Sequence, residues 1–434
     1  MCQLQICQGT GNQRSFFPLA LHRDKKYRGR VASGVIPVLF CAWFLLAGAF
    51  TLQAAAPPIA NDPVHEGRPL SEWLSDLSND RDRDQNKQNL ALEAVRKIGT
   101  NGLPMLLQKL QFKAAGDLRA TLASRSQARM AFEALGPQAK PAVPQLIALL
   151  KDEVFVSGAD TALVAAAALK AIGADSIPAL KSAMASRLPA DRYGAALALG
   201  FFNSNPRDVV PLLITALKDS DRRVRARAAT SLGEIPGEEN LVIPALTAAL
   251  SDSAAPVRLE AVGALRQSGT AAKSAIPALV TLTVKDPDDT IRFNAGQTLP
   301  VVGPEEAVTA LAEHLKKEET FAAAARALGR FGTRADSTIP ALLRGFKMFN
   351  RECAAAAGFA LRAIGPRALR PLSQYLTDAD PEIRFMTVRT IGLFGQEAKS
   401  LIPALTQATQ DSEEAVRDAA IATLHDLATG PQNP

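Results

Sequence analysis

The chain has 434 residues, of which 47% are hydrophobic and only 5% are aromatic. This composition suits a long stack of Ala- and Leu-rich helices and argues against a globe built around one aromatic-rich core. The formal charge is +6, but residues 1–56 hold six basic residues and one acidic residue, so the remainder has a net charge of only +1. A nearly neutral body with alternating charges argues against a nucleic-acid partner, which requires a basic face.

The N-terminal segment, residues 1–56, is typical of an export leader. A basic stretch ending at Arg30 precedes an apolar run over 35–52, and small residues follow at 54–56. This order predicts a signal peptide or, because the apolar run has 18 residues, a membrane anchor. The basic flank places the rest of the chain outside the cytoplasm in either case. The alternative is a merely apolar N-terminal helix. We expect membrane contact only through this segment.

Residues 57–67, rich in Pro and Asp, are predicted to be a linker, residues 68–428 a repeat array, and residues 429–434 a tail. Within the array, a phrase like Ile-Pro-Ala-Leu returns about every 33 residues. Its prolines are Pro104, Pro144, Pro178, Pro211, Pro244, Pro277, Pro340, Pro371 and Pro403. A fixed period of this size indicates a solenoid, in which each unit buries its apolar face against its neighbours.

The unit at 241–269 shows the predicted local structure. Apolar residues at helical spacing follow Pro244, which we place in the first turn of a helix, where its missing N–H costs nothing. A polar turn follows, with Ser253 as the expected N-cap of a second helix that Gly269 ends. Each of about eleven units is therefore predicted to be a helix, a tight turn and a second helix.

Five turn aspartates are each followed six residues later by an arginine that itself follows Val or Ile. The pairs are Asp219 and Arg225, Asp252 and Arg258, Asp286 and Arg292, Asp378 and Arg384, and Asp411 and Arg417. Stacking the units would bring each guanidinium beside its own and a neighbouring aspartate, which predicts a ladder that sets the register between repeats. The alternative, a row of arginines for an anionic ligand, is disfavoured because every arginine comes with a carboxylate.

These features resemble the HEAT repeat, in the short bacterial form named after phycobilisome lyases. The resemblance depends on the early proline, the turn aspartate, the Val/Ile-Arg pair and a closing Ala-Leu-x-x-Ile/Leu-Gly, as at 168–173. Residues 67–74 look like an opening unit of exported bacterial HEAT proteins. The resemblance implies an all-α, right-handed solenoid of about eleven helix pairs, with the second helices lining the concave side.

The search for chemistry yields weak candidates only, so we expect no catalytic, cofactor or metal site. His65-Glu66 is a single pair where an iron site of facing helices needs several. Asp80, Asp82 and Asp84 alternate like a calcium loop, but the glycine and glutamate that such a loop requires are missing. Cys353 has no histidine nearby in sequence and favours a packed thiol.

The turn aromatics are candidate partner anchors in so aromatic-poor a chain. They are Phe346, Met348 and Phe349, and the alternative role for them is capping the core between helices. Residues 306–365 lack ladder arginines and the early proline of one unit, so we expect the weakest junction of the array there.

The function that these observations favour is a non-enzymatic protein-binding scaffold or adaptor outside the cytoplasm. The resemblance leaves open a bilin lyase-type enzyme or chaperone. A self-associating structural protein of the cell envelope is the other alternative.

Overall fold

The computed structural model describes residues 62–77, 84–151, 161–348 and 350–429. They belong to one compact unit, Ile59–Pro434. The predicted leader with its apolar run at 35–52, and the tail beyond Thr429, lie outside the described residues.

The described residues form twenty-two α-helices that follow one another as eleven pairs. The helices are α1 (Leu70–Ser75), α2 (Gln85–Ile98), α3 (Leu103–Gln111), α4 (Leu118–Leu135), α5 (Val143–Leu149), α6 (Thr161–Ile172), α7 (Ile177–Met184), α8 (Pro189–Leu199), α9 (Pro206–Ala216), α10 (Arg222–Glu234), α11 (Glu239–Ala249), α12 (Ala255–Gln267), α13 (Ile276–Lys285), α14 (Asp289–Val302), α15 (Pro304–His314), α16 (Glu318–Leu328), α17 (Ile339–Met348), α18 (Arg351–Ile364), α19 (Leu369–Ser373), α20 (Pro381–Gly392), α21 (Ile402–Ala408) and α22 (Glu414–Thr429). Each unit, numbered 1 to 11, has an odd-numbered first helix and an even-numbered second helix. The predicted all-α solenoid of about eleven helix pairs is confirmed.

Two details of the unit at 241–269 differ from the prediction. Helix α11 begins at Glu239, so Pro244 lies inside the helix and not in its first turn. The second helix, α12, has Ala254 as its N-cap, not Ser253. The reason is that the Asp252 carboxylate accepts a hydrogen bond from the backbone N–H of Ala254 at 2.8 Å and so already satisfies the start of the helix.

The even-numbered helices form a continuous layer, in which each packs on the next, from α2 to α14 and again from α16 to α22. Glycines allow this close approach at the ends of some helices. A Cβ on Gly233 would lie 2.8 Å from Cα of Ala264 in the next even helix, and Gly392 faces Thr423 in the same way. The junction between α14 and α16 differs, because α16 packs more on α13 than on α14. Pro300 occupies the position in α14 that Gly233 occupies in α10.

The N-terminal end of the array is covered by a small hairpin. Residues Val64–His65 and Arg68–Pro69 pair as antiparallel strands. The indole N–H of Trp73 donates to the carbonyls of His65 and Arg68 at 3.3 and 3.2 Å, and the Arg68 guanidinium lies 4.3 Å from the Trp73 ring. The prediction of a linker over 57–67 is therefore wrong for its described part, because these backbone pairings and the indole hold 62–67 on α1.

One segment of the described residues, Thr161–Met184, is long and apolar enough to cross a membrane. It consists of two helices, α6 and α7, joined by a 3-10 turn that begins at Gly173 with φ of 87°. Its buried side chains belong to the core between units, which accounts for its hydropathy.

Candidate functional site: the arginine ladder and the even-helix surface

The ladder arginines bridge consecutive units through one repeated geometry. Arg258 in α12 donates from Nη1 to the carbonyl oxygens of Asp252 and Ser253 in its own turn, at 3.0 and 3.3 Å. Its Nε and Nη2 donate to the two carboxylate oxygens of Asp286 in the next unit, at 2.7 and 2.9 Å. The guanidinium thus fastens the turn of one unit to the turn of the next.

The described chain contains four pairs with this bidentate geometry. The pairs are Arg192 with Asp219, Arg225 with Asp252, Arg258 with Asp286, and Arg384 with Asp411. The sequence spacing predicted that each arginine lies beside the aspartate of its own unit and that of a neighbouring unit. In the structure these two contacts are of different kinds. The turn of the arginine's own unit supplies backbone carbonyls, and only the following unit supplies the carboxylate.

Sequence reasoning missed Arg192 as a ladder member. Six residues before it stands Ser186 and not an aspartate, so the six-residue spacing does not detect it. The spacing that detects it is the 27 residues between a ladder arginine and its carboxylate partner, which Arg192 and Asp219 share with Arg225 and Asp252.

Two ladder arginines contact no carboxylate of a following unit within the described chain. Arg292 donates to the Asp286 carbonyl and pairs with Asp289 on its own helix. Unit 8 carries the buried Leu315 where a turn aspartate would stand. Arg417 in α22 donates to the Asp411 and Ser412 carbonyls at 2.7 and 3.0 Å.

The interval between the two ladder runs is joined by other contacts. In unit 8 the ladder position holds Phe321, whose buried ring lies against Gly345 of α17 and leaves no room for a Cβ there. Between units 9 and 10, Nζ of Lys347 donates to the Asp378 carboxylate at 2.6 Å. An apolar contact and a lysine therefore replace the arginine between units 8 and 10.

The ladder holds its carboxylates in the charged form. Burial acts to raise the pKa of Asp286, but hydrogen bonds from Arg258 and from the backbone N–H of Asp288 outweigh it, and the pKa is lowered. At Asp411 the hydrogen bonds from Arg384, assisted by the backbone N–H of Glu413, lower the pKa to about 2. A carboxylate with these partners stays ionised at neutral pH.

Exposed apolar side chains are concentrated on the even-numbered helices. Of the thirteen large hydrophobic residues exposed in the described chain, seven lie on even helices and two on odd helices. The seven are Leu90, Leu118, Leu163, Phe293, Val301, Phe359 and Ile421. The surface formed by the even-numbered helices, which we call the even-helix surface, therefore exposes more large apolar side chains than the surface formed by the odd-numbered helices.

An apolar row runs along this surface beside the ladder. The ladder position is the one aligned with Arg258, and it holds Ala162, Phe321 and Ala354 in units 3, 8 and 9. In units 3 to 10 the residue directly after this position is apolar and at least partly exposed. The row consists of Leu163, Tyr193, Ala226, Leu259, Phe293, Ala322, Ala355 and Phe385. Sequence reasoning did not identify it, although the residue that follows each ladder arginine carried the signal.

Each aromatic residue of the apolar row has an arginine over its ring. Arg227 lies 5.3 Å from the Tyr193 ring and donates to its hydroxyl at 2.9 Å. Arg389 lies 5.8 Å from the Phe385 ring on the same helix. Arg330, which follows α16, lies 4.5 Å from the Phe293 ring. Arginine beside an exposed aromatic ring is a composition that protein interfaces favour.

The candidate anchors do not lie on this surface. Phe346 is fully buried and contacts the Tyr375 ring edge-on at 6.3 Å between centroids, so its assignment as a partner anchor is wrong, because it belongs to the core. Met348 ends α17, but its side chain and Phe349 lie outside the described residues.

The residues that the sequence offered as weak candidates for metal binding or catalysis have structural roles or lie outside the described residues. Asp84 is the N-cap of α2, while Asp80 and Asp82 lie outside the described residues. Cys353 is buried in α18, and burial raises the pKa of its thiol. The described part of the chain contains no group of three or more His, Cys, Asp or Glu side chains placed to hold a metal ion.

Comparison with solved structures shows the same kind of fold. Kap121p bound to Nup53p has a TM-score of 0.51 and 15% identity, over 83% of this chain and 44% of that one. Importin beta has a TM-score of 0.44 and 15% identity over 84% and 56% of the two chains, and yeast importin-beta, Kap95p, 0.41 and 15% over 82% and 50%. The chain thus spans about half the length of these structures.

No curated protein matches the sequence. The family described as HEAT repeats matches residues 177–266, 243–329, 276–362 and 369–432, which together make up more than half of the chain. These matches cover the units that carry both runs of the ladder. The chain belongs to the HEAT-repeat family.

Proposed function

We propose that this protein is a non-enzymatic scaffold or adaptor that binds another protein along its even-helix surface, outside the cytoplasm. The observation that carries the proposal is the apolar row and its arginines on one face of the solenoid. Aromatic and arginine side chains dominate the binding energy of protein interfaces when both are desolvated together. A stack of repeats provides such a surface over many units without needing a deep pocket.

The ladder belongs to the scaffold in this proposal and not to the ligand site. Its guanidinium groups are already bound on both sides, by turn carbonyls and by the next aspartate, so they have little capacity left for an anion. The solved structure of Kap121p, a protein of similar fold, has Nup53p bound to it, which supports a protein as the partner. The basic, apolar and small residues over 23–56 motivate the location outside the cytoplasm.

The experiment is site-specific photo-crosslinking in cells with a benzophenone amino acid on each face. Arg266 and Phe359 are exposed on the even helices, and Ala248 and Thr281 are exposed on the odd helices as matched controls. We expect protein adducts from the even positions and few from the odd ones. Adducts mainly from the odd positions, or none from either, would overturn the proposal.

A further inference from the structure

The two most exposed aromatic rings of the described chain flank one helix. Phe293 in α14 is 52% exposed and Phe359 in α18 is 61% exposed. Helix α16 lies between these two even helices in the order of the units. Between the rings, α16 presents the small residues Ala322 and Ala323, which are only partly covered. We call this stretch of the even-helix surface, from Phe293 across Ala322 and Ala323 to Phe359, the α16 groove.

The α16 groove is open on the α14 side because the contacts that close other junctions are missing there. Leu315 and Phe321 replace the aspartate and the arginine of the ladder, and Pro300 replaces the small residue at the end of α14. As a result α16 packs more on α13 than on α14. The Phe293 ring therefore remains exposed, where the corresponding Leu259 of α12 is partly covered.

Arg330 occupies this opening without a carboxylate partner among the described residues. Its guanidinium lies 4.5 Å from the Phe293 ring, and its Nη1 donates to the Phe293 carbonyl at 3.2 Å. Gly296 makes room for it, since a Cβ there would overlap Nη1. Burial lowers the pKa of Arg330, and no acidic group offsets this effect. A half-buried cation in this state favours a carboxylate from outside.

We propose that the α16 groove binds an acidic amphipathic helix of a protein partner, with apolar side chains between Phe293 and Phe359 and a carboxylate on Arg330. This inference rests on the proposed function and names the chemistry of its partner. Packed helices lie about 8–10 Å apart, and because α14 packs less closely on α16, α14 and α18 are separated by at least roughly 20 Å. A helix with its side chains is about 10–12 Å wide and fits between them.

The charges on α16 also set the direction of the bound helix. Glu318 and Glu319 stand at the N-terminal end of α16, whereas Arg326 and Arg330 stand at its C-terminal end. Acidic residues of the partner therefore lie toward Arg330 and away from the two glutamates. Arg326 is bound to Glu352 at 2.9 Å, which leaves Arg330 as the main carboxylate contact.

The test uses the full-length protein and a fluorescein-labelled helical peptide of about 18 residues, with Leu on one face and Glu beside that face toward one end. A second peptide has Lys in place of Glu. In fluorescence anisotropy we expect the Glu peptide to bind and the Lys peptide not to bind. Phe293→Ala and Phe359→Ala should each weaken binding about tenfold. Leu241→Ala, which truncates a 44% exposed residue on α11, should not.

Arg330 has its own pair of variants. Arg330→Gln should remove the preference for the Glu peptide, and Arg330→Lys should retain part of it, with melting curves showing that both fold. Equal binding of the two peptides, or binding unaffected by Phe359→Ala, would overturn the groove. Crosslinks from Arg266 that persist in the Phe293→Ala and Phe359→Ala variants would refute the groove alone, whereas absence of any crosslink would refute the proposed function.

Discussion

At the scale of single residues, the arginine ladder fixes how each repeat unit is aligned with the next. Arg258 is 8% exposed, and its partner Asp286 is almost completely buried. Removing the guanidinium takes two donors from the buried Asp286 carboxylate, which keeps only the backbone N–H of Asp288, and also leaves two turn carbonyls without this donor. The loss of such a partner costs more than a surface ion pair contributes. The consequence falls on Asp286 of the next unit and not on Asp252, whose carboxylate is held by Arg225.

We expect Arg258→Ala to lower the free energy of unfolding by about 1–3 kcal/mol in thermal or urea melts. The matched control is Arg292→Ala, which removes a ladder arginine that contacts no carboxylate in the following unit and should cost less. An unchanged melt of Arg258→Ala together with lost partner binding would show that the arginines form a ligand row.

The same contacts make the stability of the fold depend on pH in the acidic range. The pKa of Asp411 is lowered to about 2 from an ordinary value of 3.8, so its ionised form stabilises the fold fully above the ordinary value, and this stabilisation is lost as pH falls toward 2. We expect the urea midpoint to drop between pH of about 5 and about 2, and to drop less in Asp411→Asn. An identical drop in both proteins would mean that Asp411 contributes nothing to acid sensitivity.

At the scale of helices, small residues decide how closely the even-numbered helices approach. Gly233 and Gly263 both lie on such helices, but a Cβ meets Ala264 at 2.8 Å in the first case and open space in the second. We expect Gly233→Ala to destabilise by about 1–3 kcal/mol through overpacking. Gly263→Ala should stabilise by about 0.5–1 kcal/mol through helix propensity. Equal effects of the two substitutions in urea melts would contradict this account.

The junction between α14 and α16 lacks the ladder, and its two even helices pack less on each other than those of the other junctions do. Stability in a solenoid is close to a sum of unit and nearest-neighbour contributions, so a poor junction opens without unfolding the rest. We expect faster amide hydrogen exchange over 306–365 than over 211–300. The packing of Phe321 on Gly345 and of α16 on α18 opposes this effect. Equal or slower exchange over 306–365 would show that this packing replaces the ladder.

At the scale of the whole molecule, location determines which partners the even-helix surface can meet. A basic stretch, an apolar run over 35–52 and small residues precede the repeats, in the order of an export leader. A reporter enzyme that is active only outside the cytoplasm, fused after Asn61, should therefore be active. If this fusion is inactive while a control reporter that works inside the cell is active, the protein is not exported.

Sequence by itself determined the architecture, because each unit repeats the same local signals: an apolar helix, a polar turn and a second helix. Eleven units could be counted from periodicity, and the ladder arginines from Arg225 to Arg417 could be identified from their spacing. These are local patterns, and the contacts that they require are made by neighbouring units of the same kind.

Only the tertiary structure decided which contact each group makes. It assigned the carboxylate partner of Arg258 to the next unit, buried Phe346, and placed Phe293, Phe359 and Arg330 around α16. The physical reason is that a residue's exposure depends on the angle and distance between neighbouring units. The exposure of Phe293, for example, depends on how α14 and α16 are joined and not on its own unit alone.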